Sequence, residues 1–335
     1  MKVLFDNPDP FMLMHGGFQI QIEHTKNALE QAGVEVEHLR WWDDSQSADV
    51  LHYFGRPRPY YVEFARQKGM KVVASQMLTG MGSRTGWRRV LQKAVIHTMR
   101  RTLPAMITDP FGWEGYCSVD ACLLLTGWEA FLMRDMFGVA PGRVHVVPNG
   151  VDEAFFANAP TTRGPWLICT GAIADRKRVA ELAEAAVLAQ TPVWIIGKPY
   201  SESDPYAQRF LQVARQNPKL VRYEGAINDR RRLATAYREA RGFVLLSTRE
   251  SLSLSALEAA ACETPLLLSD LPWARTVFGD GASYCPIASA SGTAPVLRRF
   301  YDAAPTLPKP PTPLHWIDVG RQIKSIYEGL LKTSR

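Results

Sequence analysis

The chain has 335 residues, enough for two domains of ordinary size, and carries a net charge of +6. Its 46% hydrophobic and 21% charged residues are the balance of a soluble globular protein, and no apolar run approaches the ~20 residues that span a bilayer. Five cysteines (Cys117, Cys122, Cys169, Cys262, Cys285) are odd in number and mostly set in apolar runs, which suits buried thiols in a reducing compartment. Seven histidines are scattered without paired spacing, so no metal site is expected. Met1-Lys-Val-Leu-Phe-Asp6 enters a strand directly and lacks a signal-peptide pattern, so the expected location is cytoplasmic.

Charge is distributed unevenly. Residues 1–52 hold three Lys/Arg against nine Asp/Glu, whereas residues 53–108 hold eleven Lys/Arg against Glu63 alone. Such a basic band suits an anionic partner: a phospholipid surface, a charged glycan or nucleic acid. It equally suits a solvated face whose acidic complement lies in residues 1–52. No stacking motif or reader helix accompanies the charge, so nucleic acid is not expected as a partner.

In chain order, a first series of elements runs strand 2–5, helix 18–32, strands 34–39 and 50–54, helix 59–68, strand 71–75, helix 87–101, strand 121–126, helix 128–137 and strand 143–147. On helix 87–101, Trp87, Val90, Leu91, Ala94, Val95 and Thr98 share one side, while Arg88, Arg89, Lys93, Arg100 and Arg101 lie around the flanks and the other side. That helix suits an anionic membrane or an anionic acceptor, or its apolar side is core and its arginines are solvated. Residues 153–165 read as a linker. A second series follows: strand 166–170, helix 178–189, strand 193–196, helix 205–216, strand 220–224, helix 229–240, strand 242–247, helix 254–262 and strand 265–269. Alternation of this kind, met twice, predicts two doubly wound Rossmann-like α/β domains, 1–152 and 166–313, facing a cleft. Beyond the proline-rich stretch 305–313, residues 314–335 read as an amphipathic helix that packs back on the first domain.

The sharpest motif is Glu250-Ser-Leu-Ser-Leu-Ser-Ala-Leu-Glu258. A buried strand precedes it and an alanine- and leucine-rich helix follows, so Glu250 stands on the connecting loop and Glu258 one to two turns inside the helix. Backbone amides of Ser253 and Leu254 fall near the helix start, where free N–H groups and the macrodipole favour an anion such as phosphate. Two acids that grip hydroxyls beside such a start suit a sugar nucleotide. Two blander readings compete: Ser255-Ala-Leu-Glu258 fits a capping box, and Glu250 fits a solvated loop acid.

Several motifs together resemble a family 4 retaining glycosyltransferase of the GT-B fold (glycosyl transferases group 1), over nearly the whole chain. His15-Gly16-Gly17 opening the first helix is similar to the family's glycine loop, and Phe137-Gly-Val-Ala-Pro-Gly-Arg-Val-His-Val-Val-Pro-Asn149-Gly-Val-Asp152 to its interdomain signature. Gly171-Ala-Ile-Ala-Asp-Arg176-Lys177 matches the family's lysine at Lys177, but Ala172 stands where an arginine is usual, leaving Arg176 to supply the second charge or to be a polar residue before a helix. Glu250 to Glu258 matches the paired-glutamate motif, with Ser251 and Ser253 where glycines are usual. Gln76 replaces the histidine the family often carries near the reacting sugar; it can hydrogen-bond a hydroxyl but not exchange a proton.

The resemblance implies transfer of a hexose-type sugar from a nucleotide diphosphate sugar to an acceptor hydroxyl, with retention at the anomeric carbon and without cofactor or metal. On that reading Glu250, Lys177 and Arg176 are catalytic, and Gly16, Gly17, Gly171, Ser253, Leu254 and Glu258 bind the donor. His15, Gln76, Arg88 and Arg89 belong to the acceptor side, toward a glycan, a lipid-linked or a small-molecule acceptor, with an anionic inner membrane face as a possible partner. The rivals are a catalytically impaired nucleotide-sugar binder, favoured by Ala172 and Gln76, and a same-fold sugar-nucleotide epimerase, opposed by the paired glutamates and the Pro-Asn-Gly-Val-Asp signature.

Overall fold

The computed structural model describes residues 1–8, 16–83, 86–108, 111, 113–156 and 162–332. The chain divides into two compact units, Met1–Gly150 with Leu314–Arg335, and Val151–Pro313.

In the first unit the elements are β1 (Lys2–Asp6), α1 (Gly17–Gln31), β2 (Glu35–His38), β3 (Val50–Phe54), α2 (Pro59–Gln67), β4 (Lys71–Gln76), α3 (Thr79–Gly82), α4 (Gly86–Thr102), α5 (Ala105–Thr108), α6 (Gly115–Ser118), β5 (Ala121–Leu124), α7 (Gly127–Phe137) and β6 (Val144–Val146). The strands form one parallel sheet in the order β2-β1-β3-β4-β5-β6. Neighbouring strand residues alternate between two cores. Leu4, Leu51, Val72 and Ala74 join Val62 of α2, Ile96 of α4 and Leu132 of α7. Val3, Phe5, Val50 and Val73 join Ile22 and Leu29 of α1. Burial on both faces is why these strands read as continuous apolar runs.

The second unit holds β7 (Leu167–Thr170), α8 (Val179–Leu188), β8 (Val193–Ile196), α9 (Pro205–Gln216), β9 (Val221–Tyr223), α10 (Arg230–Glu239), β10 (Gly242–Leu245), α11 (Leu254–Ala261), β11 (Leu266–Ser269), α12 (Pro272–Phe278), β12 (Ser283–Cys285) and α13 (Ala290–Ala303). Its parallel sheet has the order β12-β11-β10-β7-β8-β9. The last three elements are absent from the sequence reading. Ser289 to Pro295 contains Gly292 and an in-helix Pro295, a poor helix sequence. Burial of Thr293, Ala294, Leu297 and Phe300 overrides that propensity.

The chain then returns to the first unit as α14 (Trp316–Lys332), which packs on α1. The approach is close: a Cβ on Gly320 would fall 2.5 Å from the Ala28 carbonyl oxygen. Tyr327 of α14 is fully buried, and its hydroxyl lies 2.5 Å from His52 Nδ1, whose Nε2 lies 2.7 Å from Ser75 Oγ.

The basic band is organised differently from its bland reading. Acids of residues 1–52 pair with bases of the same segment, Glu35 and Glu37 with Lys2, Glu30 with Lys26, and Asp43 with Arg40. Among the described residues, the carboxylates that ion-pair with the band are Asp120 on Arg66, Asp135 on Arg89 and Lys93, and Glu114 on Arg100. The apolar side of α4 is not core either. Trp87, Val90, Leu91 and Val95 are exposed, and Ile96 is the one buried residue recorded for the helix.

Candidate functional site

In the second unit the chain runs β7, β8, β9 outward on one side, then crosses to β10, β11 and β12 on the other. The switch point of this sheet therefore lies between β7 and β10, and open parallel sheets bind ligands at the carboxyl ends of strands at such a point. The loop after β7 carries Gly171 and a 3-10 turn, Asp175–Lys177. The loop after β10 carries Glu250. Thr248 joins them, its backbone N–H donating to the Arg176 carbonyl at 2.8 Å.

Three of the residues singled out in the sequence meet there. Lys177 Nζ donates to Glu250 Oε1, and Arg176 Nη1 stands 3.5 Å from the same oxygen. Glu250 is 8% exposed, so it is an ion-paired, largely buried carboxylate and not a solvated loop acid. Lys177 is about as deep, while Arg176 remains more open. The backbone needs glycine nearby: a Cβ on Gly197, at φ +150°, would sit 1.8 Å from the Gly171 carbonyl oxygen. Close packing of the turn after β8 on the Gly171 loop thus fixes where Lys177 begins.

Ser253 is the N-cap of α11, its Oγ accepting from the Ala256 amide at 3.4 Å. That bond uses the third amide of the helix and leaves those of Leu254 and Ser255 among the first-turn donors a helix cannot satisfy itself. The capping box expected as an alternative does not form, because Glu258 turns elsewhere. Its Oε1 accepts from Arg230 Nη1 at 2.8 Å and its Oε2 from the Tyr237 hydroxyl at 3.2 Å. The Tyr237 hydroxyl lies 2.5 Å from Thr170 Oγ1 at the end of β7, so the chain Thr170–Tyr237–Glu258–Arg230 runs from strand to surface. Burial outweighs the attraction of Arg230 and raises the Glu258 carboxyl to about 7. Such a group accepts hydroxyl donors when ionised and gains from any partner that favours the ionised form. Tyr237 and Arg230 are not individual candidates in the sequence reading. Their signal is the spacing of seven on α10, which places both on one face after the Asp229 N-cap.

In the first unit the switch point lies between β1 and β3, since β2 pairs on the far side of β1. Gly16 is the N-cap of α1, with no described residue within 4 Å of where its Cβ would sit and no side-chain cap among the described residues, so the amides of Gly17 and its neighbours head the helix. His15 lies outside the described residues. Asp6, unremarked in the sequence, ends β1 there; burial raises its carboxyl and the Tyr61 hydroxyl donates to it. An acid ending the first strand of such a sheet is the signal that would have found it. Gln76 ends β4, with Nε2 donating to the Met77 carbonyl at 3.1 Å and Oε1 buried without a partner among the described residues. Arg89 is engaged by Asp135 and lies over the rings of Trp128 and Phe131, a packing role, while Arg88 is exposed beside Trp87.

Residues 164–300 match the family described as Glycosyl transferases group 1. A D-inositol 3-phosphate glycosyltransferase of Kineococcus radiotolerans is 32% identical over 188 residues, 49% of this chain and 43% of its own length. One from Frankia alni is 30% identical over 203 residues, 54% of this chain and 48% of its own. The chain thus matches under half the length of these relatives. Sucrose-phosphate synthase from Thermosynechococcus elongatus superposes with a TM-score of 0.68 at 15% identity, covering 99% of both chains. Anabaena HepE, solved in complex with UDP and glucose, superposes with a TM-score of 0.63 at 12% identity over 98% of this chain and 100% of its own. These likenesses establish the GT-B fold: two doubly wound α/β units, each with a six-stranded parallel sheet.

Proposed function

We propose that this protein is a retaining, metal-independent glycosyltransferase that moves a sugar from a nucleotide diphosphate sugar to an acceptor hydroxyl, in glycan, glycolipid or polysaccharide synthesis. One observation carries the reading: Lys177, Arg176 and Glu250 converge at the switch point of the second sheet, whose β10-to-α11 loop also presents the first-turn amides of α11. The group 1 match over residues 164–300, covering this unit, supports it, as does the likeness to HepE with its bound UDP and glucose.

Lys177 and Arg176 supply the charge that offsets negative charge growing on the leaving diphosphate, and the amides of Ser253 and Leu254 add oriented dipoles for the same phosphates. Glu250 accepts hydrogen bonds from sugar hydroxyls beside the reacting carbon. Glu258, held by Arg230 and Tyr237, accepts from the ribose hydroxyls. Lys177 and Glu250 satisfy each other, so a donor exchanges one charge-assisted bond for two. Retention follows from departure of the diphosphate and arrival of the acceptor on one face of the sugar, with the leaving phosphate taking the acceptor proton. That route asks no proton exchange of Gln76, whose Oε1 suits a hydroxyl donor.

A cytoplasmic location, with five free thiols, belongs to the same reading. The second reading, a nucleotide-sugar binder without transfer, is favoured by Ala172, which removes a cation the family usually places beside the diphosphate. A panel of nucleotide sugars separates them. One donor raises the melting temperature in either case, and the same donor is hydrolysed slowly without acceptor only by the enzyme. No shift from any nucleotide sugar or nucleoside diphosphate would refute both.

A further inference from the structure

Helix α4 is mounted with its apolar side outward. Trp87 is 70% exposed, Val90 62%, Leu91 55% and Val95 47%. At 100° per residue, Trp87, Leu91, Ala94, Val95 and Thr98 form one stripe along the helix. A helix of a globular domain ordinarily buries such a stripe and shows its charges to water. Here the side that faces the fold carries Ile96, buried in the core, beside three cations: Arg89 and Lys93 reach Asp135 of α7, and Arg100 holds Glu114 and donates to the Phe137 carbonyl at 2.8 Å. These contacts hold the helix in the orientation that leaves the stripe open.

Charge indicates what covers it. The helix carries five Lys/Arg and no Asp/Glu, and no acid occurs anywhere from residue 64 to 108. Arg88 and Arg101, both exposed, border the stripe on either side, and neither meets a carboxylate among the described residues. A second copy docking here would set these cations against their own kind. An anionic surface with an apolar interior is complementary to both features. No helix among the described residues is long and apolar enough to cross a membrane, so α4 would lie in the interface rather than span it.

We propose that α4 seats the protein on an anionic lipid surface. Trp87, Leu91 and Val95 enter the boundary between headgroups and acyl chains, and Arg88 and Arg101 meet the lipid phosphates. This goes beyond the donor chemistry of the second unit and does not depend on it.

The test is sedimentation of the full chain with vesicles of phosphatidylcholine alone and of phosphatidylcholine mixed with phosphatidylglycerol, at low and high salt. The wild type is expected to bind the mixed vesicles at low salt, and much less in high salt or to neutral vesicles. Arg88→Glu/Arg101→Glu should lower partitioning at least about thirtyfold, and Leu91→Glu/Val95→Glu should abolish it. All four side chains are exposed, so circular dichroism should show an intact fold, and Arg215→Glu on exposed α9 should bind as wild type does. Absence of binding to mixed vesicles at low salt would overturn the proposal. So would a lipid-free dimer that Leu91→Glu/Val95→Glu dissolves, which would give the stripe to a second copy.

Discussion

Lys177 and Glu250 are each about one-tenth exposed, with side-chain accessibilities of 11% and 10%. A charge at that depth is costly without its partner, so the two residues specify each other as well as a ligand. Glu250→Gln keeps the shape and an acceptor oxygen but loses the charge. It should cut transfer at least ~100-fold, as loss of a positioned transition-state contact does, while the protein stays folded. Wild-type turnover by folded Glu250→Gln would remove Glu250 from the mechanism. Lys177→Ala should weaken a nucleoside diphosphate by roughly 1.5–3 kcal/mol and the bare nucleoside far less. Titration calorimetry with both ligands checks this, and equal losses would show that Lys177 does not address the phosphates. Arg163 belongs to the same scale but to architecture. Its guanidinium donates to the carbonyls of Arg238, Ala240 and Glu263 at 3.1, 2.9 and 2.9 Å. Arg163→Ala orphans the carbonyls at the ends of α10 and α11 and should cost about 2–3 kcal/mol in urea unfolding. A cost near zero would mean that water replaces the guanidinium.

The elements that place the site are short and tightly abutted. The turn after β8 presses on the Gly171 loop so closely that Gly197→Ala puts a methyl 1.8 Å from a carbonyl oxygen, at a φ that L side chains rarely adopt. That substitution should destabilise by roughly 3 kcal/mol and weaken diphosphate binding too, because the loop it displaces carries Lys177. Unchanged unfolding and binding would show that the abutment is dispensable. Much of this scale was legible in the sequence. Runs such as Val3-Leu-Phe5 and Leu266-Leu-Leu268 are buried on both faces and announce parallel strands, and a glutamate pair spanning a strand-to-helix loop marks the loop after β10 where Lys177 and Arg176 converge on Glu250. What stayed hidden depended on partners remote in sequence. The pattern of α4 showed that one side is apolar but not which side faces out, since Asp135, 42 residues from Lys93, decides that. The capping-box alternative for Glu258 stayed open in the sequence because Arg230 and Tyr237 reach it from another helix. The sequence reading has no element at α13 because glycine and proline mask a helix that packing enforces.

At the scale of the molecule, burial displaces the pKa of His52 in the first unit and of Glu258 in the second, and these two displacements have opposite consequences for stability. His52, between Tyr327 and Ser75 in the first unit, is driven by burial from 6.5 to about 3. Its folded-state pKa is lowered, so its contribution is complete above pH 6.5 and is lost as pH falls towards 3. Burial acts on His38 and His145 of the same unit in the same direction. Glu258 in the second unit is raised from 4.5 to about 7, so its contribution is complete below pH 4.5 and is lost as pH rises through 7. Between pH 7.5 and 5.5, acidification should therefore destabilise the first unit and stabilise the second, each by on the order of 1 kcal/mol per pH unit once past 6.5 and 7 respectively. Proteins of two units need not unfold in one step, so hydrogen exchange of β3 and β10 amides across that range follows each unit separately. Protection of β3 should fall with acid and that of β10 should rise. Glu258→Gln should flatten the β10 profile and leave β3 untouched, and His52→Asn should reduce the β3 slope to what His38 and His145 contribute, at some cost in overall stability. Parallel pH profiles for the two strands in the wild type would show that neither buried group governs its unit. A nucleoside diphosphate that engages ionised Glu258 should also bind more tightly as pH rises from 5.5 to 7.5, and Glu258→Gln should lose that increase.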